Sequence, residues 1–328
     1  MKEWKYFFAQ HRGALAAALL FFVMFTIYAV NHPAGLTPNV VQTAANKGVL
    51  LALVAIGQTF VVLTAGIDLS VGMVFVLCNC VASYVVAGSP TMVAFGIASV
   101  LATGLFCGAA NGAIVIFGRL QPIVATIASG AVYFGLALWL RRSPGASPKF
   151  SSDLADVMTG KVLGIVPSSG IFLAAIVLCV WIPFRRSPLG RAVYATGSSE
   201  PSAYMSGVPV KRAKFAAYMF SGFFSALGGL FLTFFTYSGE ASSANGSTYT
   251  LYSIAAVVLG GVSLFGGRGS AIGAVFGALA FRAIGDLLFV FDVDPLWQPL
   301  FQGTVLLLAV SVGSARLLGV RNKLELFS

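Results

Sequence analysis

The residues in this sequence that could do chemistry begin with GIDLSVG, Gly66 to Gly72, where one acid interrupts two long apolar runs. Gly66 can take the left-handed conformation that ends a helix, and Asp68 is placed to cap the next helix, which would begin at Leu69. The functional alternative is a broken helix whose ends face a transport pathway. Because a charge near the bilayer centre costs ~2.5–3.5 kcal/mol, helix capping is the favoured interpretation.

Arg282 and Asp286 are the clearest charged residues inside an apolar run. They are four residues apart, so they share one face of a helix and can pair. Ionisable residues within a membrane are functional candidates by default. A structural ion pair explains these two residues at least as well, because pairing lowers the cost of inserting each charge.

Catalytic and nucleotide-binding motifs are absent from the sequence. It contains no metal-ligand cluster, no H-E-x-x-H and no G-x-x-x-x-G-K-[ST], and His11 and His32 both lie outside the apolar runs. The stretch GGRGSAIG, Gly266 to Gly273, has the wrong spacing for a dinucleotide fingerprint and no βαβ unit around it. We therefore predict that the chain is not an enzyme and has no catalytic residues, cofactor or metal of its own.

The elements that carry these residues are predicted to be transmembrane helices. Of the 328 residues, 58% are hydrophobic and 9% are charged, and the mean hydropathy is +0.91. Apolar stretches of roughly 18–23 residues match a ~30 Å hydrocarbon core, and they lack the alternation of a membrane barrel. We predict an all-α polytopic protein with about ten spans. The predicted spans are 13–30, 44–64, 69–87, 91–118, 121–140, 170–184, 214–236, 249–265, 270–290 and 296–318.

The formal net charge of +10 is explained by membrane topology rather than by nucleic-acid binding. Lys and Arg accumulate in the cytoplasmic loops of membrane proteins. With the amino terminus inside, inner segments hold 14 of the 20 basic residues, and outer segments hold only Arg141, Arg142, Lys149 and Lys161. The sequence therefore predicts cytoplasmic amino and carboxyl termini.

The longest inner loop, about 185–213, encodes a short helix. Ser198 or Ser199 suits the N-cap, Pro201 is tolerated in a first turn, and Gly207 is a natural left-handed residue at the helix end. A helix of about two turns is unstable alone in water, so it must pack on something. Packing on the membrane domain of this chain and docking into a soluble partner are equally supported by the helix alone.

A second stretch of the chain is similar to the one that contains GIDLSVG. Leu63–Phe75 and Leu264–Phe276, aligned at a constant offset of 201 residues, share Leu, two Gly, Val and Phe. Five matches among such common residues are weak evidence for an internal repeat, because two similar tight turns would explain them equally well.

Four blocks of the sequence carry a family resemblance. They are GQTFVVLTAGIDLSVG (57–72), ANGAIVIFGRLQPIVATIASG (110–130), LGRAVYATGSSEPSAYMSGVPVKRAK (189–214) and IAAVVLGGVSLFGGRGSAIGAVFGAL (254–279). In this order they resemble the membrane permeases of bacterial ABC importers for monosaccharides, of the ribose, xylose and arabinose type. The sequence departs from the family at Thr250 and Tyr252, where acids often stand. The family-motif residues are Gly66, Asp68, Ser70 and Gly72.

The resemblance implies a type II-like importer permease in the bacterial inner membrane, with 1–328 as one transmembrane domain. It implies a second permease copy, ATP-binding subunits that bring ATP and magnesium from inside, and a periplasmic sugar-binding protein outside. Membrane lipid surrounds such a chain, and nucleic acid plays no part. The loop helix becomes the coupling helix that docks in a groove of the ATPase. The implied coupling residues are Ser199, Glu200, Pro201, Ala203, Tyr204, Met205 and Gly207.

Neutral polar side chains inside the spans are candidates for the translocation pathway, because an uncharged sugar needs hydrogen-bonding or wettable walls. Asn79 and Asn111 are the best of them. For any single residue, a helix–helix hydrogen bond worth ~0.6–2 kcal/mol is the simpler explanation. The pathway candidates are Gln58, Asn79, Asn111, Thr126, Tyr133 and Gln302.

Two other functions stay open beside the import of a monosaccharide. A branched-chain amino-acid permease shares the architecture, although GIDLSVG argues for the sugar branch. An ion-coupled secondary transporter would need a coupling-ion site, for which Asp68, Arg282 and Asp286 are the only raw material.

Overall fold

The chain folds almost entirely into helices. A computed structural model of the protein describes residues 2–308 and 311, with side chains from Arg12 onward. A two-residue hairpin, β1 (Lys161–Val162) with β2 (Val166–Pro167), lies between α6 and α7. In chain order the helices are α1 (Lys2–Asn31), α2 (Pro38–Leu63), α3 (Val71–Val85), α4 (Pro90–Ile116), α5 (Pro122–Leu140), α6 (Ser152–Thr159), α7 (Ser168–Ile176), α8 (Ile182–Arg186), α9 (Pro188–Ser198), α10 (Glu200–Met205), α11 (Val210–Thr236), α12 (Ser243–Leu259) and α13 (Ala271–Val290).

Length and composition make this a multi-pass membrane protein. Among the described residues, seven helical segments are long and apolar enough to cross a membrane, and α7 and α8 count as one of them because a π-helical turn, Val177–Trp181, joins them. α3 has 15 residues and α12 has 17, so both are shorter. Residues 298–308 are also helical. The all-α, polytopic prediction is confirmed.

Nine predicted spans correspond to helices, and the clearest errors lie at the starts of α2 and α12 and at the end of α12, which is Leu259 rather than 265. α2 begins at Pro38 rather than at 44, because the Thr37 hydroxyl accepts a hydrogen bond from the Val40 N–H (3.4 Å). α12 begins at Ser243 rather than at 249, because the Ser242 hydroxyl caps it. Both caps lie in polar sequence outside the apolar window. Of the tenth span, 309–310 and 312–318 lie outside the described residues, as does the predicted cytoplasmic carboxyl terminus.

Glycines let α4 approach α11, the helix at the centre of the fold. A Cβ at Gly104 would lie 2.4 Å from the Gly222 carbonyl oxygen, and one at Gly108 would lie 2.3 Å from the Tyr218 carbonyl oxygen. Small residues four apart are typical of close helix packing in membranes. The glycine row of α4 therefore serves packing within the chain.

The connections gather at two ends of the helical bundle, which we call the turn end and the loop end. At the turn end, the Gly267 N–H donates to the Leu63 carbonyl (3.0 Å), joining two separate connections. At the loop end, Gly145 and Gly239 exchange two backbone hydrogen bonds. The turn end comprises the first turn (64–70), the α8–α11 connection (187–209) and the second turn (260–270). The loop end comprises 86–89, 141–167 and 237–242.

Candidate functional site

The first turn differs from the sequence prediction at its left-handed residue. Ala65, and not Gly66, takes this conformation, with a φ of 60°. Gly66 lies in a tight space, because a Cβ there would lie 3.1 Å from Val61 Cγ1 and 3.3 Å from the Tyr218 hydroxyl. The prediction that Gly66 ends α2 through its backbone freedom is therefore wrong, and a small residue suits the position for its size.

The acid of the first turn is buried and does not cap a helix. α3 begins at Val71 with Ser70 as its N-cap, so the predicted cap at Asp68 and start at Leu69 are wrong. Asp68 is 2% exposed. Its Oδ1 accepts hydrogen bonds from the backbone N–H (2.9 Å) and hydroxyl (2.6 Å) of Ser70, and its Oδ2 accepts one from the Ser221 hydroxyl (2.8 Å). The carboxylate thus ties the turn to α11.

Two of the pathway candidates extend this group into α4 and α5. Asn111 donates from Nδ2 to the Ser70 hydroxyl (2.7 Å). The Tyr133 hydroxyl lies within donating distance of Asn111 Oδ1 (3.1 Å) and of the Cys107 carbonyl (3.0 Å). The chain from Asp68 through Ser70 and Asn111 to Tyr133 is a continuous buried hydrogen-bond network, which we call the turn network.

A second side chain of α5 and one of α12 complete the turn network. The Leu69 N–H donates to Thr126 Oγ1 (2.9 Å), and the Gly72 N–H donates to Thr250 Oγ1 (3.1 Å). The first amides of a helix have no partner within the helix, and in a buried place water cannot supply one. Two helices, α5 and α12, and the turn itself therefore provide the acceptors that the start of α3 needs.

Asn79 lies apart from the turn network, near the loop end. Its Nδ2 donates to Thr233 Oγ1 (2.8 Å) and to the Ser238 carbonyl (3.1 Å), and its Oδ1 accepts from the Glu240 N–H (2.8 Å). Both amide hydrogens and the side-chain oxygen of this buried residue therefore have partners. In this conformation Asn79 fastens the α11–α12 connection to α3.

The remaining pathway candidates are separate from both groups. Gln58 is 0% exposed, and neither atom of its amide has a hydrogen-bond partner among the described residues. Gln302 Oε1 accepts a hydrogen bond from the Tyr252 hydroxyl. No candidate is more than 6% exposed, so none lines an open passage in this conformation of the single chain. The structure brings only Asn111, Thr126 and Tyr133 together.

The loop helix predicted from the sequence is present as α10. Ser199 is its N-cap, and its hydroxyl accepts a hydrogen bond from the Ser202 N–H (3.4 Å). Gly207, with a φ of 77°, follows the helix end as predicted. Tyr204 is 71% exposed and Met205 is 84% exposed. Two large apolar side chains therefore point away from the bundle.

The other coupling candidates hold α10 in place or line a groove beside it. Ala203 is buried, and Glu200 forms a salt bridge of 2.6 Å with Lys214 of α11. The groove has a volume of about 550 Å³. It is lined by Glu200, Pro201, Tyr204, Val208, Pro209, Val210, Lys211 and Arg212.

α9, which leads directly into α10, rests on both turns. A Cβ at Gly197 would lie 1.8 Å from the Leu63 carbonyl oxygen and 2.6 Å from the Gly267 nitrogen. The Tyr194 hydroxyl donates to the Gly269 carbonyl (2.7 Å). Burial raises the pKa of this hydroxyl, so it stays protonated and remains a donor at neutral pH. α10 therefore follows directly after a helix that contacts the carboxyl end of α2 and also contacts the second turn.

Three charged side chains, rather than two, meet where α2 packs against α13. Arg282 Nη2 lies 3.9 Å from Asp286 Oδ1, and Lys47 Nζ lies 3.4 Å from the same oxygen. The sequence analysis did not include Lys47, because it is distant in the chain. Its position inside an apolar run was the only signal.

Sequence reasoning also missed Ser221 and Gly197. Ser221 met the same criterion as the pathway candidates, a polar residue within an apolar run, but its contact with Asp68 depends on the tertiary fold. Among the described residues, no group of three or more His, Cys, Asp and Glu side chains could hold a metal ion.

The chain is similar in sequence to known permease components. Residues 40–310 match the family model described as branched-chain amino acid transport system / permease component. The ribose import permease protein RbsC of Bacillus subtilis (strain 168) is 35% identical over 297 residues, covering 88% of this chain and 89% of that protein. No solved structure matches the chain.

Other relatives carry the names of other sugars. The ribose import permease protein RbsC of Escherichia coli (strain K12) is 33% identical over 279 residues, covering 84% of both chains. The D-allose transport system permease protein AlsC of the same strain is 32% identical over 277 residues, covering 84% of this chain and 83% of that protein.

Proposed function

This chain belongs to the family of ABC importer permease components, and on that premise we propose that it translocates a monosaccharide across the bacterial inner membrane. The chain is a translocation subunit and not an enzyme. Hydrolysis of ATP, with magnesium, takes place in partner subunits, and a periplasmic binding protein delivers the sugar.

The substrate class is supported by the relatives. Their names specify ribose and D-allose, both monosaccharides, whereas the description of the family model mentions branched-chain amino acids. The polar side chains of the turn network, apart from Asp68, are uncharged amides and hydroxyls. Such groups suit an uncharged substrate better than a zwitterionic one.

The exposed face of α10 is the observation that carries the coupling role. Tyr204 and Met205 are large side chains that the bundle does not cover. Isolated apolar anchors of this kind, beside a groove, are typical of a docking surface. α10 docks in the ATP-binding subunit, with Ser199, Glu200, Pro201, Ala203 and Gly207 holding the helix in its orientation.

Motion of α10 reaches the membrane helices through α9. Gly197 leaves no space between α9 and the carboxyl end of α2, so the two must move together. The start of α3 is tied in turn to α4, α5, α11 and α12 by the turn network. Nucleotide-driven movement of α10 therefore acts on Asn111, Thr126 and Tyr133 together, and we assign these three to the inner part of the pathway. Gln58, Asn79 and Gln302 remain further candidates.

Charge distribution supports the orientation of the chain in this assembly. The turn end, with the basic α8–α11 connection, faces the cytoplasm, and the loop end faces the periplasm. Both termini are cytoplasmic, the whole of 1–328 forms one transmembrane domain, and two permease copies enclose the pathway between them.

The docking role is tested with Met205→Arg, because Met205 is 84% exposed and its replacement leaves the fold intact. The expected result is loss of the co-purifying ATP-binding subunit and of ATP-driven uptake of ribose into vesicles. Leu163→Arg, at a loop-end residue that is 91% exposed, is the matched control and should keep the ATPase bound. Retention of the ATPase by Met205→Arg, or sugar uptake by wild type without ATP, would overturn the proposal.

A further inference from the structure

A second cavity lies outside both turns, between α1, α2, α7 and α13. Its volume is about 540 Å³, within the ~300–1,000 Å³ range of small-molecule sites. Its walls are aliphatic and aromatic over most of their area, and Tyr28, Arg282 and Asp286 are the polar exceptions. No part of the turn network or of α10 contributes to it.

Near the turn end α1 contacts the second turn closely, and the cavity lies further along α1, at residues 21–28. A Cβ at Gly13 would lie 2.6 Å from the Gly261 Cα, so nothing fits between these two residues. Further along, Phe21 and Phe22 reach Phe276 with ring centroids 6.3 Å and 6.1 Å apart. The cavity reaches the outside of the bundle at the π-helical turn, where Leu178 lines it and is 61% exposed. In a membrane that outside is hydrocarbon.

The charges at this cavity are not balanced. Asp286 is shared by Lys47 and Arg282, which leaves one net positive charge. Arg282 Nε is buried and has no hydrogen-bond partner among the described residues. A positive charge with an unused donor, within an apolar surrounding, is costly unless an anion pairs with it.

We propose that this cavity binds a phospholipid with an anionic headgroup, whose acyl chain fills the apolar walls and whose phosphate pairs with Arg282. Lys47 does not line the cavity and adds positive charge next to it through its contact with Asp286. The Arg282 side chain places its charged end at the headgroup while its stem stays among apolar groups. Arg282 lies roughly 12 Å from the end of α13, by the helical rise of about 1.5 Å per residue, so the headgroup is drawn inward at this place. The site is independent of the transported sugar.

Native mass spectrometry of the purified importer complex, titrated separately with dioleoyl phosphatidylglycerol and dioleoyl phosphatidylcholine, tests the proposal. Wild type is expected to retain one phosphatidylglycerol per copy in preference to phosphatidylcholine. Gly170→Phe should abolish that retention, because Gly170 lines the cavity and nothing lies within 4 Å of a Cβ built there. Ile171→Phe, one residue along the same helix and outside the cavity, should retain the lipid as wild type does.

The charge variants separate a lipid site from a purely structural ion cluster. Lys47→Gln removes the excess positive charge and should weaken phosphatidylglycerol binding about fivefold, as expected for one cation near an anionic surface. Asp286→Asn raises the excess charge and should strengthen the same binding by about the same factor. A structural cluster alone would not give opposite changes in lipid affinity.

Three results would overturn the proposal. The first is that wild type retains no phosphatidylglycerol, or that Gly170→Phe still retains it. The second is that the two lipids bind with equal affinity and that neither Lys47→Gln nor Asp286→Asn changes the binding. The third is that Gly170→Phe loses the second permease copy from the complex. The last result would mean that a second chain, and not a lipid, covers the cavity.

Discussion

The first and second turns share their glycines but differ in what they bury. Gly72 and Gly273 occupy equivalent positions at the offset of 201 residues. A Cβ would lie 1.8 Å from the Gly246 carbonyl oxygen at the first and 2.2 Å from the Gly260 carbonyl oxygen at the second. At both positions a neighbouring backbone lies too close for any side chain, that of Gly246 within α12 and that of Gly260 directly after it.

The two turns differ in their polar residues. Asp68 in the first turn corresponds to Gly269 in the second, where φ is 124° and no carboxylate is present. The second turn is partly exposed, with Phe265 63% accessible, so solvent can satisfy its free backbone groups. In the first turn Asp68 is 2% and Ser70 is 0% exposed, so side chains must satisfy the backbone groups beside them. The comparison teaches that glycines set the shape of both turns, whereas the acid is needed where the backbone groups are buried.

The largest expected loss of stability comes from a substitution in α9 at the point where it contacts both the end of α2 and the second turn. Gly197→Val places a side chain against the Leu63 carbonyl and the Gly267 nitrogen, where no space exists. We expect destabilisation of about 3 kcal/mol or more and loss of assembled complex, measured by thermal unfolding of the solubilised chain and by size-exclusion chromatography. Gly135→Val is the control, since nothing lies within 4 Å of a Cβ there. Equal behaviour of the two variants would refute the tight contact.

A smaller effect is expected from the acid that distinguishes the first turn. Asp68→Ala leaves the Ser70 N–H and two hydroxyls without their acceptor, so stability should fall by about 2–3 kcal/mol. Asp68→Asn keeps one carbonyl acceptor and should stay within about 1 kcal/mol of wild type in thermal unfolding, because no salt bridge among the described residues involves Asp68. If the asparagine variant is as unstable as the alanine variant, the charge itself is required.

The smallest effect is expected in the second turn. Arg268 is exposed and its side chain makes no hydrogen bond or salt bridge among the described residues. Arg268→Gln should change the stability of the isolated chain by no more than about 0.5 kcal/mol in the same unfolding measurement. A loss comparable to that of Asp68→Ala would show that the second turn also depends on a charged side chain.

Sequence patterns located the membrane helices well because each span is a local feature. Apolar length predicted nine helices, and the cap Ser199 with the terminator Gly207 predicted α10. Errors arose where a helix continued past the apolar window, as at Pro38, and where two neighbours could each take a left-handed conformation, as at Ala65 and Gly66. The local conformational energies of neighbouring residues in a turn are too similar for the sequence alone to show where a helix ends or which residue is left-handed.

By itself, the sequence determined the class of the protein, an all-helical, multi-pass membrane protein, because long apolar runs have few other stable structures in lipid. It also marked Asp68, Asn111 and Tyr133 as unusual, without relating them to one another. Only the tertiary structure decided that these three share one network, that Gly104 and Gly108 pack within the chain, and that Lys47 joins Arg282 at Asp286. Hydrogen bonds and close contacts between distant segments depend on how the helices are arranged, which no local pattern specifies.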